Sequence, residues 1–76
     1  VQLLVDANGA YGVAEAVQLA RGLVREGVFW LEEPLHPEFP RELAQVRRRV
    51  DLPIASGEWL GSVAQFRDLL DAEGAD

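Results

Sequence analysis

Short apolar runs alternate with amphipathic stretches three times along this chain, and each run leads to a carboxylate. The runs read VQLLVDAN, VFWLEEP and LPIASGE, and they place Asp6, Glu32 and Glu58 at 26-residue intervals. Val1 to Asp6 reads as a strand buried on both faces, because it is continuously apolar and stops at Asn8-Gly9. Val13, Val17, Ala20 and Val24 then follow the spacing of one helix face. Gly27 suits the left-handed stop of that helix, and Gly22 inside it costs about 1 kcal/mol relative to alanine.

Val28 to Leu31 is the second expected strand, and Pro34 and Pro37 forbid regular structure after it. Pro40 suits the first turn of a second helix whose inner face is Leu43, Val46 and Val50. Pro53 separates that helix from a third strand, Ile54 to Ser56. Ser62 with Gln65 makes a capping-box pattern. Val63, Phe66 and Leu70 form the expected buried stripe of a third helix, which Gly74 ends.

The order is βαβαβα, and connections this short force parallel strands with right-handed crossovers. Such units belong to a closed barrel or to an open doubly wound sheet. Catalytic groups of barrels sit at the C-terminal ends of several different strands. Three carboxylates at three successive strand ends fit that pattern better than a single crevice at a reversal of strand order. Neither GxGxxG nor GxxxxGK[ST] is present to favour a nucleotide fold. The expected fold class is therefore α/β: three consecutive βα units of an incomplete (β/α)8 TIM-type barrel. Residues 1–76 are expected to form a partial barrel domain, with no second domain within them.

A chain of 76 residues buries only about 60% of its unfolded surface, and no cysteine is available to staple it. It lacks an initial methionine, begins within a strand and ends at Asp76 where another strand should start, as expected of a piece of a longer protein. A net charge of −6 disfavours nucleic acid and anionic membranes as partners. Arg47, Arg48 and Arg49, beside Glu42 and Asp51, read as a solvated helix face. No apolar run approaches the roughly 20 residues that cross a bilayer, and no signal peptide is recognisable. A cytoplasmic location is the expectation.

Three strand ends about 4.8 Å apart span roughly 10 Å, so their side chains can converge on one ion. All three donors are oxygens, and no His or Cys shares the spacing. That favours Mg²⁺ or Mn²⁺ over zinc.

VDANGAY, WLEEPL and ASGEW, in this order and at these intervals, resemble the enolase superfamily in its mandelate racemase and muconate lactonizing enzyme branch. The resemblance covers essentially the whole chain and implies the third to fifth βα units of that family's barrel. It implies an essential Mg²⁺ held by Asp6, Glu32 and Glu58. The 26-residue steps select the first glutamate of EEP over Glu33, which is expected on the opposite face of a strand, either supporting the metal site or purely structural. Asn8 matches a position that binds substrate or supports the metal; a turn before Gly9 is its alternative reading. Trp59 is expected at the substrate mouth and Trp30 in the core. Tyr11, Phe29 and Phe39 are expected to pack, with approach to the site from the loop after Asp6 as the alternative for Tyr11.

The reaction implied is abstraction of the proton next to a carboxylate, with Mg²⁺ stabilising the enediolate. The branch draws its base from a lysine on the strand before this segment, or from a later lysine or His–Asp pair. This chain has no lysine, and His36 reads as a loop residue, so no catalytic base is assigned within it. GE at the third ligand resembles the mandelate racemase group. Acid-sugar dehydratase is the first expectation, with racemase, epimerase or cycloisomerase as the alternative. A non-catalytic metal-binding α/β module is the alternative of another class. The expected substrate is a small carboxylate, an acid sugar or 2-hydroxy acid, and the full-length protein is expected to be a homo-oligomer.

Overall fold

Gly27 takes a positive φ of 77°, Pro40 opens a helix, and the Ser62 hydroxyl accepts from the Gln65 amide at 3.2 Å. These signals delimit the elements of the computed structural model, which describes residues 1–76. They are β1 (Leu4–Asp6), α1 (Val13–Arg25), β2 (Trp30–Glu32), α2 (Pro40–Arg49), β3 (Ile54–Ala55) and α3 (Val63–Asp71). The strands form one parallel sheet in the order β1-β2-β3. The chain is thus three βα units of an incomplete barrel, as expected. No helix is long and apolar enough to cross a membrane.

The core lies between the central strand and the first two helices. Leu31 of β2, Ala20 of α1 and Leu43 and Val46 of α2 are fully buried, and Ile54 closes the cluster from β3. Replacing Leu31 by alanine is expected to cost about 2–5 kcal/mol, since the sheet and two helices enclose the resulting void. Urea unfolding measures this, and a loss below about 1 kcal/mol contradicts it.

Four apolar expectations are corrected. β1 is not buried on both faces: Leu3 and Leu4 are exposed because β1 is an edge strand with one neighbour. In α1 the inner face is Ala16, Val17 and Ala20, and Val24 in the last turn is exposed. In α3 the stripe faces outward: Val63 and Leu70 are 75% and 60% exposed and Phe66 is exposed, while Leu69 is buried. α3 packs against the preceding helix, and within residues 1–76 nothing covers that stripe. Tyr11, Phe29 and Phe39 are exposed, and Trp30 is half-buried.

Gly74 serves differently from its expected role. The left-handed residue after α3 is Glu73, at φ 60°. Gly74 is buried where a Cβ would come within 2.8 Å of Leu69 Cδ1 and 2.9 Å of the Pro40 carbonyl oxygen, so it permits α3 to approach α2. Beyond it, Asp76 reaches β3. Its amide donates to the Ile54 carbonyl at 2.8 Å, and its Oδ2 accepts from the Ile54 amide at 2.8 Å. Arg47 Nε donates to the other Asp76 oxygen at 3.0 Å.

Candidate metal centre

β1 and β2 are in a register that sets Asp6 directly opposite Glu32. Parallel strands in register turn paired side chains to the same face, so these two carboxylates share one rim of the sheet. Glu58 does not occupy the equivalent place. The residue opposite Glu32 on β3 is Ala55, so Glu58 stands three residues beyond the register in the following loop. Strand alternation alone cannot direct it to the rim. Gly57, at φ 121°, breaks the alternation and turns the chain there.

The outcome is convergence. One carboxylate oxygen from each of Asp6, Glu32 and Glu58 lies within 4.8 Å of the others. Oxygens around Mg²⁺ stand at about 2.0–2.1 Å, hence roughly 3 Å from their neighbours and 4.2 Å from an opposite ligand. The 4.8 Å limit on the three oxygens lies close to the wider of these separations. Asp6 and Glu58 are exposed and Glu32 half-buried, which leaves the rim open to solvent and ligand. An all-oxygen, triply anionic set fits a hard divalent cation.

The loops that carry these groups are tied together. Asp6 Oδ1 accepts from the Asn8 amide at 2.9 Å, a local turn that occupies one oxygen of Asp6. Asn8 lies at φ 53°, a conformation that asparagine tolerates, and it is exposed at the rim. Tyr11 donates its amide to the Pro34 carbonyl at 3.1 Å, and Ala10 and Leu35 form a bridge. His36 Nδ1 accepts from the Glu38 amide at 3.2 Å. The His36 and Trp59 rings lie 5.6 Å apart, with Trp59 59% exposed next to Glu58.

Glu33 lies beneath the rim, fully buried and at φ 52°. Its Oε2 accepts from the Gly57 amide at 3.1 Å. Burial pushes its carboxyl above the ordinary value; the Ser56 hydroxyl and Gly57 amide oppose the shift, and Glu32 and Glu58 add to it. The Ser56 contact is loose, for neither Ser56 Oγ nor Glu33 Oε1 makes a hydrogen bond of good geometry. Gly57 enters the sequence reading only as part of the GE pattern, without its backbone role, although a glycine at a strand end just before a ligand is a recognisable signal. The largest concavity, about 640 Å³ between α2 and α3, is lined by Arg41, Arg48, Asp68 and Asp71 and includes none of the three rim carboxylates.

The model of the enolase C-terminal domain-like family matches residues 1–76. The chain belongs to that family. Among its relatives is the o-succinylbenzoate synthase of Mycobacterium tuberculosis strain H37Rv, 44% identical over 73 residues, which cover 95% of this chain and 22% of the relative. An enolase from Bradyrhizobium complexed with magnesium and mandelic acid superposes with a TM-score of 0.95 at 30% identity, over 100% of this chain and 21% of that one. L-talarate dehydratase from Polaromonas sp. JS666, complexed with Mg and L-glucarate, gives 0.94 at 36% identity, over 100% and 21%. The chain thus spans about a fifth of the length of these enolase-family proteins.

Proposed function

We propose that this chain carries the metal centre of a Mg²⁺-dependent enzyme that removes the proton next to a substrate carboxylate. The observation that carries the reading is the approach of Asp6, Glu32 and Glu58 oxygens to within 4.8 Å at one rim of a parallel sheet. Magnesium in the Bradyrhizobium and Polaromonas complexes supports the choice of ion. When bound, Mg²⁺ supplies Lewis-acid stabilisation of the charge that develops on the substrate carboxylate.

The three carboxylates would hold the ion, and Asn8 would orient substrate from the rim. His36 is not assigned as the base, since its Nδ1 is engaged by the Glu38 amide at 3.2 Å within its own loop. The proton acceptor is assigned to the whole protein outside these 76 residues. The relatives bear enzyme names, which favours an enzyme over a non-catalytic metal-binding module.

Dehydration of an acid sugar is the first reading of the activity, supported by 36% identity to the L-talarate dehydratase. Chemistry of the o-succinylbenzoate synthase kind is the second, favoured by 44% identity over 73 residues. The test is exchange of the substrate α-proton with deuterated solvent, using the full-length protein and a panel of acid sugars with Mg²⁺ or with chelator. Metal-dependent exchange accompanied by loss of water is expected. Exchange indifferent to chelator overturns the metal-centre reading, and production of o-succinylbenzoate with no acid sugar turned over selects the second activity.

A further inference from the structure

Glu33 stands where the three ligand-bearing segments meet. Its amide donates to the Ala55 carbonyl at 2.8 Å, its carbonyl accepts from the Gly9 amide at 2.7 Å, and its Oε2 accepts from the Gly57 amide at 3.1 Å. It therefore contacts the loop after Asp6, follows Glu32 directly, and grips the residue before Glu58. The residue is unfavourable on two counts: a non-glycine side chain at positive φ and a carboxylate with no exposure to water. A site that only filled space would be served better by an apolar residue on ordinary backbone.

We propose that Glu33 is a positioning residue whose side-chain oxygen, through the Gly57 amide, sets Glu58 against Asp6 and Glu32. The inference rests on the metal-centre reading above. Glu58 is the ligand that needs such help, because it lies past the paired strand and depends on the turn at Gly57. What matters is reach and an acceptor atom rather than charge. A glutamine keeps both, its amide oxygen facing Gly57 and its NH₂ facing the unpaired Ser56 hydroxyl. An aspartate keeps the charge but is one methylene too short to hold the Gly57 amide.

The test compares E33Q, E33D and E58Q in the full-length protein, by paramagnetic titration of Mn²⁺ binding, with thermal unfolding in chelator as the check on folding. E33D is expected to weaken Mn²⁺ binding at least about tenfold, as loss of an orienting partner does, while E33Q stays within about threefold of the parent. Weakening in E33Q equal to that in E33D, or no weakening in E33D, overturns the proposal. E58Q separates the two levels: if it leaves Mn²⁺ binding unchanged, the metal-centre reading fails, whereas a loss in E58Q without one in E33D overturns the positioning role alone. Amide hydrogen exchange at Gly57 gives a readout that does not depend on any variant folding. Slow exchange in the parent is expected, and fast exchange overturns the proposal.

Discussion

Replacing Glu32 by glutamine in the full-length protein is expected to lower Mg²⁺-dependent turnover by more than about a hundredfold, with unfolding in chelator little changed. Loss of groups that merely orient metal ligands costs about 10–100-fold in affinity or activity, and a direct ligand sets a larger effect. Asp6→Asn and Glu58→Gln are expected to behave alike, because each removes one of the three converging charges. Folding should tolerate the changes: Asp6 and Glu58 are exposed, and Glu32 is half-buried with its backbone still paired. Steady-state rates across a Mg²⁺ titration measure this, and undiminished activity in any one variant removes that residue from the ligand set.

Gly57→Ala should produce the second large effect. At φ 121° a side chain is strained whatever the space around it, at a cost of about 1–3 kcal/mol. The new Cβ would also meet Phe66 Cε1 at 2.6 Å. Phe66 is partly exposed and its ring can swing aside, so the backbone strain is the part that persists. Glu58 is the next residue, and displacement of a positioned group by about 1 Å can cost a hundredfold in rate. Denaturant unfolding and turnover are the measurements. The double variant with Phe66→Ala is expected to recover the steric share alone, and a Gly57→Ala protein as stable and active as the parent contradicts this account.

The order of elements was legible because their boundaries carry strong local chemistry. Gly27 at positive φ, Pro40 at a helix start and the Ser62 cap each act within a few residues. The three carboxylates were also legible, but the equal spacing that drew attention to them does not reflect equal placement. α2 has 10 residues against 13 in α1, and the third strand enters register three residues early, at Ala55. The loop beyond β3 makes up the difference. A count along the chain measures contour length, whereas register is settled by which backbone groups pair.

The outward stripe of α3 was misread for a related reason. Periodicity finds an apolar face without stating which neighbour it meets, and here Leu69 alone turns inward. The weight carried by Glu33 was invisible as well. Strand alternation does not reach it, because β2 ends at Glu32, and nothing in EEP announces a left-handed backbone or a side chain that reaches the loop before Glu58.

The Asp76 contact makes the two margins of the sheet unequal toward aggregation. Pro53 and Ala55 turn their carbonyls to β2, which leaves the amide and carbonyl of Ile54 as the outward pair on β3. Asp76 occupies both, so within residues 1–76 that backbone pair is already engaged. β1 bears the exposed Leu3 and Leu4 and no such plug. An unpaired apolar strand of this kind invites edge-to-edge association, and self-association of the 76-residue chain is directed to β1.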